Sequence, residues 1–408
     1  MADKSSTEIF TGSFTQQEPI PEDAIRAAVA VMRHGRLHRY NALPDEPGET
    51  ALLEQDFAGF TGARYCLAVA SGGYALATAL RAVGVTPGQP VLTNGFTLAP
   101  VPGAVASVGA VPVFVETTPD LTIDMDDLAR RIEASGARVL LLSHMRGYIC
   151  DMDRLMQLCD RAGVTVIEDC AHTMGADWNG TPSGRFGRLG CFSAQTYKHV
   201  NAGEGGFVIS DDAEAMARAV MLSGSYMFYG HHRAAPPPGV FAQIRLETPN
   251  ISGRMDNLRA AILRPQIALL PQRRADWNAR HAAVTEGLTG VPGLRLIPRD
   301  PCEGFVASSF QFLLPDWPPE RIKDLIAATA ARGVVIKWFG AAQPQGYTSR
   351  HDSWQYAPAQ SLPQTDRVLA GLLDFRLPLT FTLDDCRAVA RIIAQEVTRL
   401  HTHAAPAA

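Results

Sequence analysis

The chain has 408 residues, 46% of them apolar, so it can bury a large core as one α/β unit or as two domains. Its formal net charge of -4 gives no hint of a nucleic-acid or membrane-surface partner, and no apolar run is long enough to span a bilayer. The start, MADKSSTEIF, lacks a signal-peptide pattern, and seven cysteines without a CxxC pair fit reduced thiols in a cytoplasmic enzyme rather than a disulfide framework or a zinc site.

Residues 1–21 read as an arm without periodicity. Residues 21–33 (PEDAIRAAVAVMR) are expected to form a helix, with Pro at its start and acids in its first turn. Residues 35–50, with Asn41, Pro44, Asp45, Pro47 and Gly48, read as a long loop, and such loops are often functional. A helix resumes at 51–60. Residues 65–70 (YCLAVA) read as a strand running into Ser71-Gly72-Gly73-Tyr74 and then a helix. Strand, glycine turn and helix start together present free N–H groups to a phosphate. Glycines serve plain tight turns as well, so both readings stand for this segment alone. No P-loop lysine follows, which argues against an ATP site.

Strands and helices then alternate. Strands are expected at 91–93, 111–115 (VPVFV), 139–143 (VLLLS) and 164–168 (VTVIE), with helices from about Ala99, at 124–134 and at 151–162. Asp120 and Thr122 are capping candidates for the second of these helices. Apolar strands at this spacing predict a mainly parallel sheet covered on both faces. Ligands on such sheets gather at the carboxyl ends of the strands, where Ser71, Phe96, His144, Asp169 and the 191–206 loop would meet. Asp169 closes a buried strand. It is either a strand-end or capping carboxylate or the partner of a protonated ring nitrogen.

Residues 191–206 read CFSAQTYKHVNAGEGG, with a further strand at 207–210. Lys198 sits between two strands beside glycines. Inside a pocket it would lose solvation and its neutral amine could form a Schiff base; on an exposed turn it would be an ordinary solvated lysine. Beyond a helix at 213–222, residues 223–249 look irregular, and 234–239 (AAPPPG) and 403–408 look like loop or fray. Residues 254–269 carry a helical pattern interrupted by Pro265, and another helix spans 273–288. A smaller unit follows, with strands at 310–314 and 334–339 around a helix at 319–332. A final amphipathic helix at 382–401 starts with Thr382 and Asp385 as a capping pair.

Seven segments in order resemble one family: ASGGYAL, NGFTLAP, VPVFVETTPDLTIDMDDL, SHMRGYICDMDRL, VIEDCAHTMGA, GRFGRLGCFSAQTYKHVNAGEGG and GRMDNLRAA. They look like the pyridoxal-phosphate (PLP) aminotransferases of the DegT/StrS type. The resemblance implies the α/β type I aminotransferase fold: a mainly parallel seven-stranded sheet sandwiched by helices, plus a smaller C-terminal α+β domain. It divides the chain into 1–265, a large PLP-binding domain with an N-terminal arm, and 266–408, a smaller domain. Catalytic roles fall on Lys198, which would carry the cofactor and shuttle a proton, and on Asp169, which would face the pyridine nitrogen. Gly72, Gly73, Tyr74 and Ser193 match phosphate-binding positions. Phe96 and His172 match residues packed on the ring, and Arg254 matches a residue that reaches a phosphate across a homodimer interface. The phosphate turn here reads Ser-Gly-Gly where the family has Ser-Gly-Thr, and Ser252 stands where it often has Asn.

The implied activity is transfer of an amino group, by a ping-pong cycle, from glutamate or glutamine to a ketone or aldehyde. The acceptor would be a keto sugar, a cyclitol or a smaller amine-related carbonyl. Arg146 or Lys337 could bind a donor carboxylate, with solvated surface roles as the alternative. Two other functions belong to the same resemblance. A sugar dehydratase has histidine in place of the lysine, whereas Lys198 is present. A non-catalytic PLP-binding regulator would keep the pocket without turnover. No metal, nucleic acid or membrane enters any of these readings.

Overall fold

The computed structural model describes residues 8–43 and 45–402. Residues 1–7, Pro44 and the 403–408 tail lie outside them. Two helices, α1 (Glu22–His34) and α2 (Glu49–Thr61), precede the first strand, β1 (Tyr65–Val69). Next come α3 (Gly72–Ala82), β2 (Pro90–Asn94), α4 (Pro100–Ser107), β3 (Val111–Val115), α5 (Met125–Ser135), β4 (Val139–Ser143), α6 (Met152–Ala162) and β5 (Thr165–Asp169). Two short strands, β6 (Asp177–Trp178) and β7 (Thr181–Pro182), precede β8 (Leu189–Ser193) and β9 (Gly206–Ser210). Four helices follow: α7 (Ala213–Leu222), α8 (Pro238–Ile244), α9 (Asn257–Ile267) and α10 (Leu270–Leu288). The chain then runs through β10 (Arg295–Leu296), β11 (Glu303–Gly304), β12 (Ser309–Leu313), α11 (Pro319–Ala331), β13 (Lys337–Trp338), α12 (Pro363–Ala370), β14 (Leu372–Arg376) and α13 (Leu383–Thr402).

The seven-stranded sheet has the order β1-β9-β8-β5-β4-β2-β3. Only β9 runs against the rest. The alternating side-chain direction of a strand explains why both faces are apolar. Leu67, Val91, Leu141, Ile167, Cys191 and Val208 face a core shared with α3, α4 and α7. Their neighbours Cys66, Ala68, Phe192 and Phe207 face α2 and α9, while Leu92, Leu140 and Val166 join a third core with α5 and α6. Phe57 of α2 stacks on Phe207 at 4.2 Å between centroids. Burying a side chain of that size contributes about 1.5–3 kcal/mol. The type I aminotransferase sheet implied by the sequence is thus present.

The C-terminal strands form a second, antiparallel sheet in the order β10-β12-β14-β13, packed on α10, α11 and α13. Thr382 and Asp385 cap α13 reciprocally: Thr382 N donates to Asp385 Oδ2 at 2.8 Å and Asp385 N to Thr382 Oγ1 at 3.1 Å. The arm's Phe10 and Phe14 pack edge-on against Phe381, at 5.1 and 5.0 Å, so the arm is clamped to this end of the chain.

Local expectations differ from the structure in five places. Helix α5 is capped by Asp124, whose Oδ1 accepts from Asp126 N and Asp127 N at 3.0 and 2.9 Å; Asp120 and Thr122 lie in the turn before it. The stretch 223–249 is not wholly irregular, because Pro237 and Pro238 start α8 with a preset φ. Only Lys337–Trp338 of the strand expected at 334–339 pairs with β14. Strand β14 and helix α12 were not foreseen. Pro265 lies inside α9, which continues to Ile267.

Candidate active site

Four strands of the large sheet deliver the site at one edge. Strand β1 leads into Ser71 and α3; β4, β5 and β8 end at Ser143, Asp169 and Ser193. Their register sets Ser143 beside Asp169 and Asp169 beside Cys191.

The start of α3 has the form of an anion cradle. Ser71 caps it, its Oγ accepting from Tyr74 N at 3.1 Å. The N–H groups of Gly72 and Gly73 lie in the first turn and have no partner within the helix, whose N-terminus carries partial positive charge. A Cβ on Gly72 would stand 2.8 Å from Ser193 Cβ, so glycine here lets the Ser193 hydroxyl lie beside the helix start. A Cβ on Gly206 would stand 2.5 Å from the carbonyl oxygen of Ser71, so β9 presses on the same turn.

Lys198 occupies a turn closed by Lys198 N donating to Gln195 O at 2.8 Å and Thr196 N to Gly203 O at 3.1 Å. Its Nζ lies 3.1 Å from His172 Nε2. Burial lowers the amine's pKa from 10.5 to about 7; Asp169 opposes the shift, and Arg146 and Arg376 add to it. Burial, then the charges of Lys198 and Arg146, push His172 well below its ordinary 6.5, so the ring is neutral and Nε2 can accept from the amine. Asp169 is 7% exposed. Its Oδ2 accepts from Ser143 Oγ at 2.9 Å, and Ser143 Oγ accepts from Thr97 Oγ1 at 3.0 Å. Its Oδ1 accepts from Ala171 N at 3.1 Å. The neighbouring Glu168 accepts from Gly184, Phe186 and Gly187 N at 2.7–2.9 Å and lies 3.0 Å from His144 Nε2; His144, Glu168 and Cys170 form a buried cluster of possible ligating atoms. With its carboxylate already so fully bonded, Glu168 reads as an anchor for the 184–187 turn.

A cavity of about 450 Å³ opens here. Of the expected site residues, Gly72, Gly73, His172, Ser193 and Lys198 line it. Asp169, Tyr74, Phe96 and Arg254 do not form its wall. The Tyr74 hydroxyl is within hydrogen-bond reach of the Ile251 and Leu222 carbonyls at 3.0 and 3.1 Å. Phe96 is 2% exposed and packs edge-on to Phe339 at 5.0 Å, while Leu98, two residues on, reaches the cavity. Arg254 donates to Gly224 O at 2.7 Å and Ser252 Oγ at 2.9 Å and lies over the Tyr226 ring.

The opposite wall was missed in the sequence. It comes from Gln17 of the arm, Tyr197, Ser308 and Ser309, Tyr347 and Arg376. Arg146, weighed as a carboxylate binder, is buried in a left-handed conformation (φ 57°) and ion-paired to Asp374 at 2.8 Å. Lys337 Nζ lies 3.4 Å from the Tyr347 ring centroid. The aromatic-rich stretch around Tyr347 was a signal; a lone Gln on an arm gives none.

These groups define a class of enzyme, one that anchors a phosphorylated aromatic aldehyde. The cradle and Ser193 suit a phosphate dianion, the fixed Asp169 carboxylate suits a basic ring nitrogen, and an unprotonated amine suits an aldehyde. Residues 20–394 match the DegT/DnrJ/EryC1/StrS aminotransferase family model. The chain is 30% identical to an L-glutamine:2-deoxy-scyllo-inosose aminotransferase of Streptomyces fradiae, over 91% of this chain and 87% of that one. It is 32% identical to a UDP-N-acetyl-3-dehydro-alpha-D-glucosamine 3-aminotransferase of Acidithiobacillus ferrooxidans, over 65% of this chain and 72% of the relative. Among solved structures, 3-amino-5-hydroxybenzoic acid synthase superposes with a TM-score of 0.80 at 25% identity, covering 95% of this chain and 99% of the other. The chain belongs to the DegT/DnrJ/EryC1/StrS aminotransferase family, and it is a PLP-dependent aminotransferase.

Proposed function

We propose that the enzyme moves the amino group of glutamine or glutamate to the ketone of a cyclitol or sugar. The carrying observation is the amine of Lys198, held near a pKa of about 7 against a neutral His172. The glutamine and cyclitol named for the Streptomyces fradiae relative support this choice of substrates. When bound, PLP supplies an electron sink for the carbon that loses its proton. Lys198 Nζ, with its pKa lowered to about 7 so that a large share of the amine is free at neutral pH, would take that proton and return it. Asp169, fixed by Ser143 and Ala171, would keep a proton on the pyridine nitrogen. Gly72 and Gly73 N–H and the Ser193 hydroxyl would hold the phosphate, and His172 would lie beside the ring.

The enzyme works as a homodimer with shared sites. Arg254 bonds to Gly224 and Ser252 and does not line the cavity of its own chain, and the Tyr226 ring against it is exposed, as are Met227 and Phe228 next in sequence, a surface suited to a second copy. The chain divides near residue 265 into a PLP-binding unit and a smaller unit holding the second sheet. A cytoplasmic setting fits its seven unpaired cysteines. No helix among the described residues is long and apolar enough to cross a membrane.

The test is spectroscopic. L-Glutamine or L-glutamate should convert the holoenzyme's bound cofactor to its amine form, and cyclitol ketones or nucleotide-linked keto sugars should convert it back. Failure of every donor to convert it would leave the regulator reading; loss of a sugar hydroxyl in place of amination would indicate a dehydratase.

A further inference from the structure

Arg146 stands in a turn that its own backbone resists. The turn Met145–Gly147 follows β4, and Arg146 is left-handed there (φ 57°, ψ 21°), a conformation that costs a non-glycine residue energy unless its surroundings impose it. Gly147 is left-handed as well (φ 80°), and a Cβ on it would stand 3.0 Å from His172 O and 3.1 Å from Val306 O. An ion pair outside the cavity imposes the turn. Arg299 Nη1 donates to Gly147 O at 2.7 Å and to Glu303 Oε1 at 3.0 Å. Glu303 Oε1 also accepts from Ile149 N at 3.2 Å. Between these two backbone contacts, the Tyr148 ring centroid lies 3.7 Å from the Arg299 guanidinium carbon. One ion pair, its side chains 10% and 2% exposed, thus holds three successive residues.

The turn matters because of where it puts a charge. Arg146 lines the cavity with Lys198 and His172, whereas its counter-ion Asp374 does not reach the wall. A cation at the wall, with its carboxylate set behind it, disfavours a second positive charge on a neighbouring amine. The charged and titratable groups around Lys198 are Asp169, His172, His199, Arg146 and Arg376; Asp169 favours the protonated amine, and the two arginines oppose it. Arg146 itself meets Asp374 and the Tyr347 ring, which Lys337 also faces. Arg299 does not line this cavity, and neither does its partner Glu303, so an influence of Arg299 on Lys198 has to run through the turn. We propose that Arg299 is a positioning residue for the reaction: by pinning the 147–149 backbone it holds Arg146 at the cavity wall and so keeps the Lys198 amine free to react. This rests on Lys198 being the reactive amine of the function proposed above.

Competitive acetylation of the full-length apoprotein tests it without turnover. Acetic anhydride is applied across a pH series, and peptide mapping gives the titration midpoint of Lys198. Wild type should show a midpoint near 7. Arg299→Leu and Arg146→Met should each raise it, at least about halving the free amine at pH 7. The double variant should shift no further than either single one, because both act through the same guanidinium. Arg299→Lys keeps a donor for Gly147 O and should recover part of the wild-type midpoint. Near-UV circular dichroism like that of wild type checks the fold of each variant. A folded Arg299→Leu with the wild-type midpoint makes Arg299 a structural residue only and overturns the proposal. An unchanged midpoint in Arg146→Met, or additive shifts in the double variant, does so too. If Arg299→Leu does not fold, Gly147→Ala decides: it leaves Arg299 in place and presses the turn against His172 and Val306, so a raised midpoint supports the proposal and an unchanged one overturns it. Borohydride mapping of the holoenzyme separates this from the reaction itself. An adduct on another lysine, with these shifts intact, would remove the proposed role of Lys198 in catalysis and leave the control of its charge standing.

Discussion

Lys198 Nζ and His172 Nε2 stand 3.1 Å apart, a primary amine against a ring that burial keeps neutral. Neither partner supplies a full opposite charge, so the amine is held without the ion pair that would keep it protonated. Such a lysine is reactive but costs stability in the empty enzyme.

The first prediction follows from that cost. The folded pKa of Lys198 is about 7 against 10.5 for an ordinary lysine. Between these values the unfolded chain holds a proton that the folded one does not, so stability rises with pH and is lost as pH falls across the window. Lys198→Met should raise the thermal midpoint of the apoprotein near pH 7–8 and flatten its dependence on pH above 7. An unchanged pH slope would mean the lysine is solvated. In wild-type holoenzyme, borohydride should fix the cofactor to Lys198, and a reduced adduct mapped to another lysine would refute its role.

Asp169→Asn is isosteric and should keep the fold, because its amide oxygen can still accept from Ala171 N while its NH2 donates to Ser143 Oγ. It cannot keep the pyridine nitrogen protonated, so turnover should fall by roughly 100-fold or more. Near-normal turnover with bound cofactor would mark Asp169 as a strand-end residue only.

Arg254 tests the shared site. Lys198→Ala and Arg254→Ala should each be nearly inactive as pure dimers with cofactor in excess. In a mixed dimer one site has both native residues and the other neither. Random exchange makes about half the dimers mixed, so about a quarter of wild-type activity should return. If the two variants refold together, dimerise and regain nothing, Arg254 serves its own chain or none.

Away from the cavity, Glu54 is fully buried. It accepts from Ala68 N at 2.9 Å and pairs with Arg39 at 2.9 Å and His232 at 3.0 Å. Burial raises its pKa, but Arg39 and His232 outweigh burial and hold it below 4.5. Its contribution is therefore present above about pH 4.5 and fades as pH falls through the lowered value. Glu54→Gln leaves Arg39 charged and unpaired, which should cost about 3–5 kcal/mol at neutral pH, with a smaller deficit in acid. Urea midpoints measured at both pH values check this; equal stability at pH 7 would show that water reaches the cluster.

The large sheet was legible because its strands are short apolar runs between punctuating turns. Segments 111–115 and 139–143 coincide with β3 and β4, and the ends of β4, β5 and β8 carry Ser143, Asp169 and Ser193. Gly72, Gly73, Ser193 and Lys198 line the cavity at or soon after strand ends that are easy to find, but the roles expected of them came from the family resemblance and not from the pattern. The opposite wall was not legible. Arg376 ends β14, a strand of LLDFR only five residues long that carries two charges and follows the preceding helix after the single residue Gly371. Gln17 reaches the cavity only because Phe10 and Phe14 clamp the arm, a contact some 370 residues away in sequence that no local pattern encodes.

The two close backbone approaches at Gly72 and Gly206 divide the cavity by how freely it can change over generations. On the cofactor side, the turn before α3 is wedged between Ser193 and β9, so even one added methyl group displaces neighbouring backbone or the Ser193 side chain. The other side of the cavity is lined by Tyr347, Ser309 and Arg376, none of them a glycine pressed against backbone. A lineage shifting to a new acceptor can redraw that second wall one substitution at a time and keep its coenzyme throughout. Drift on the first wall is removed by selection before any substrate is tried.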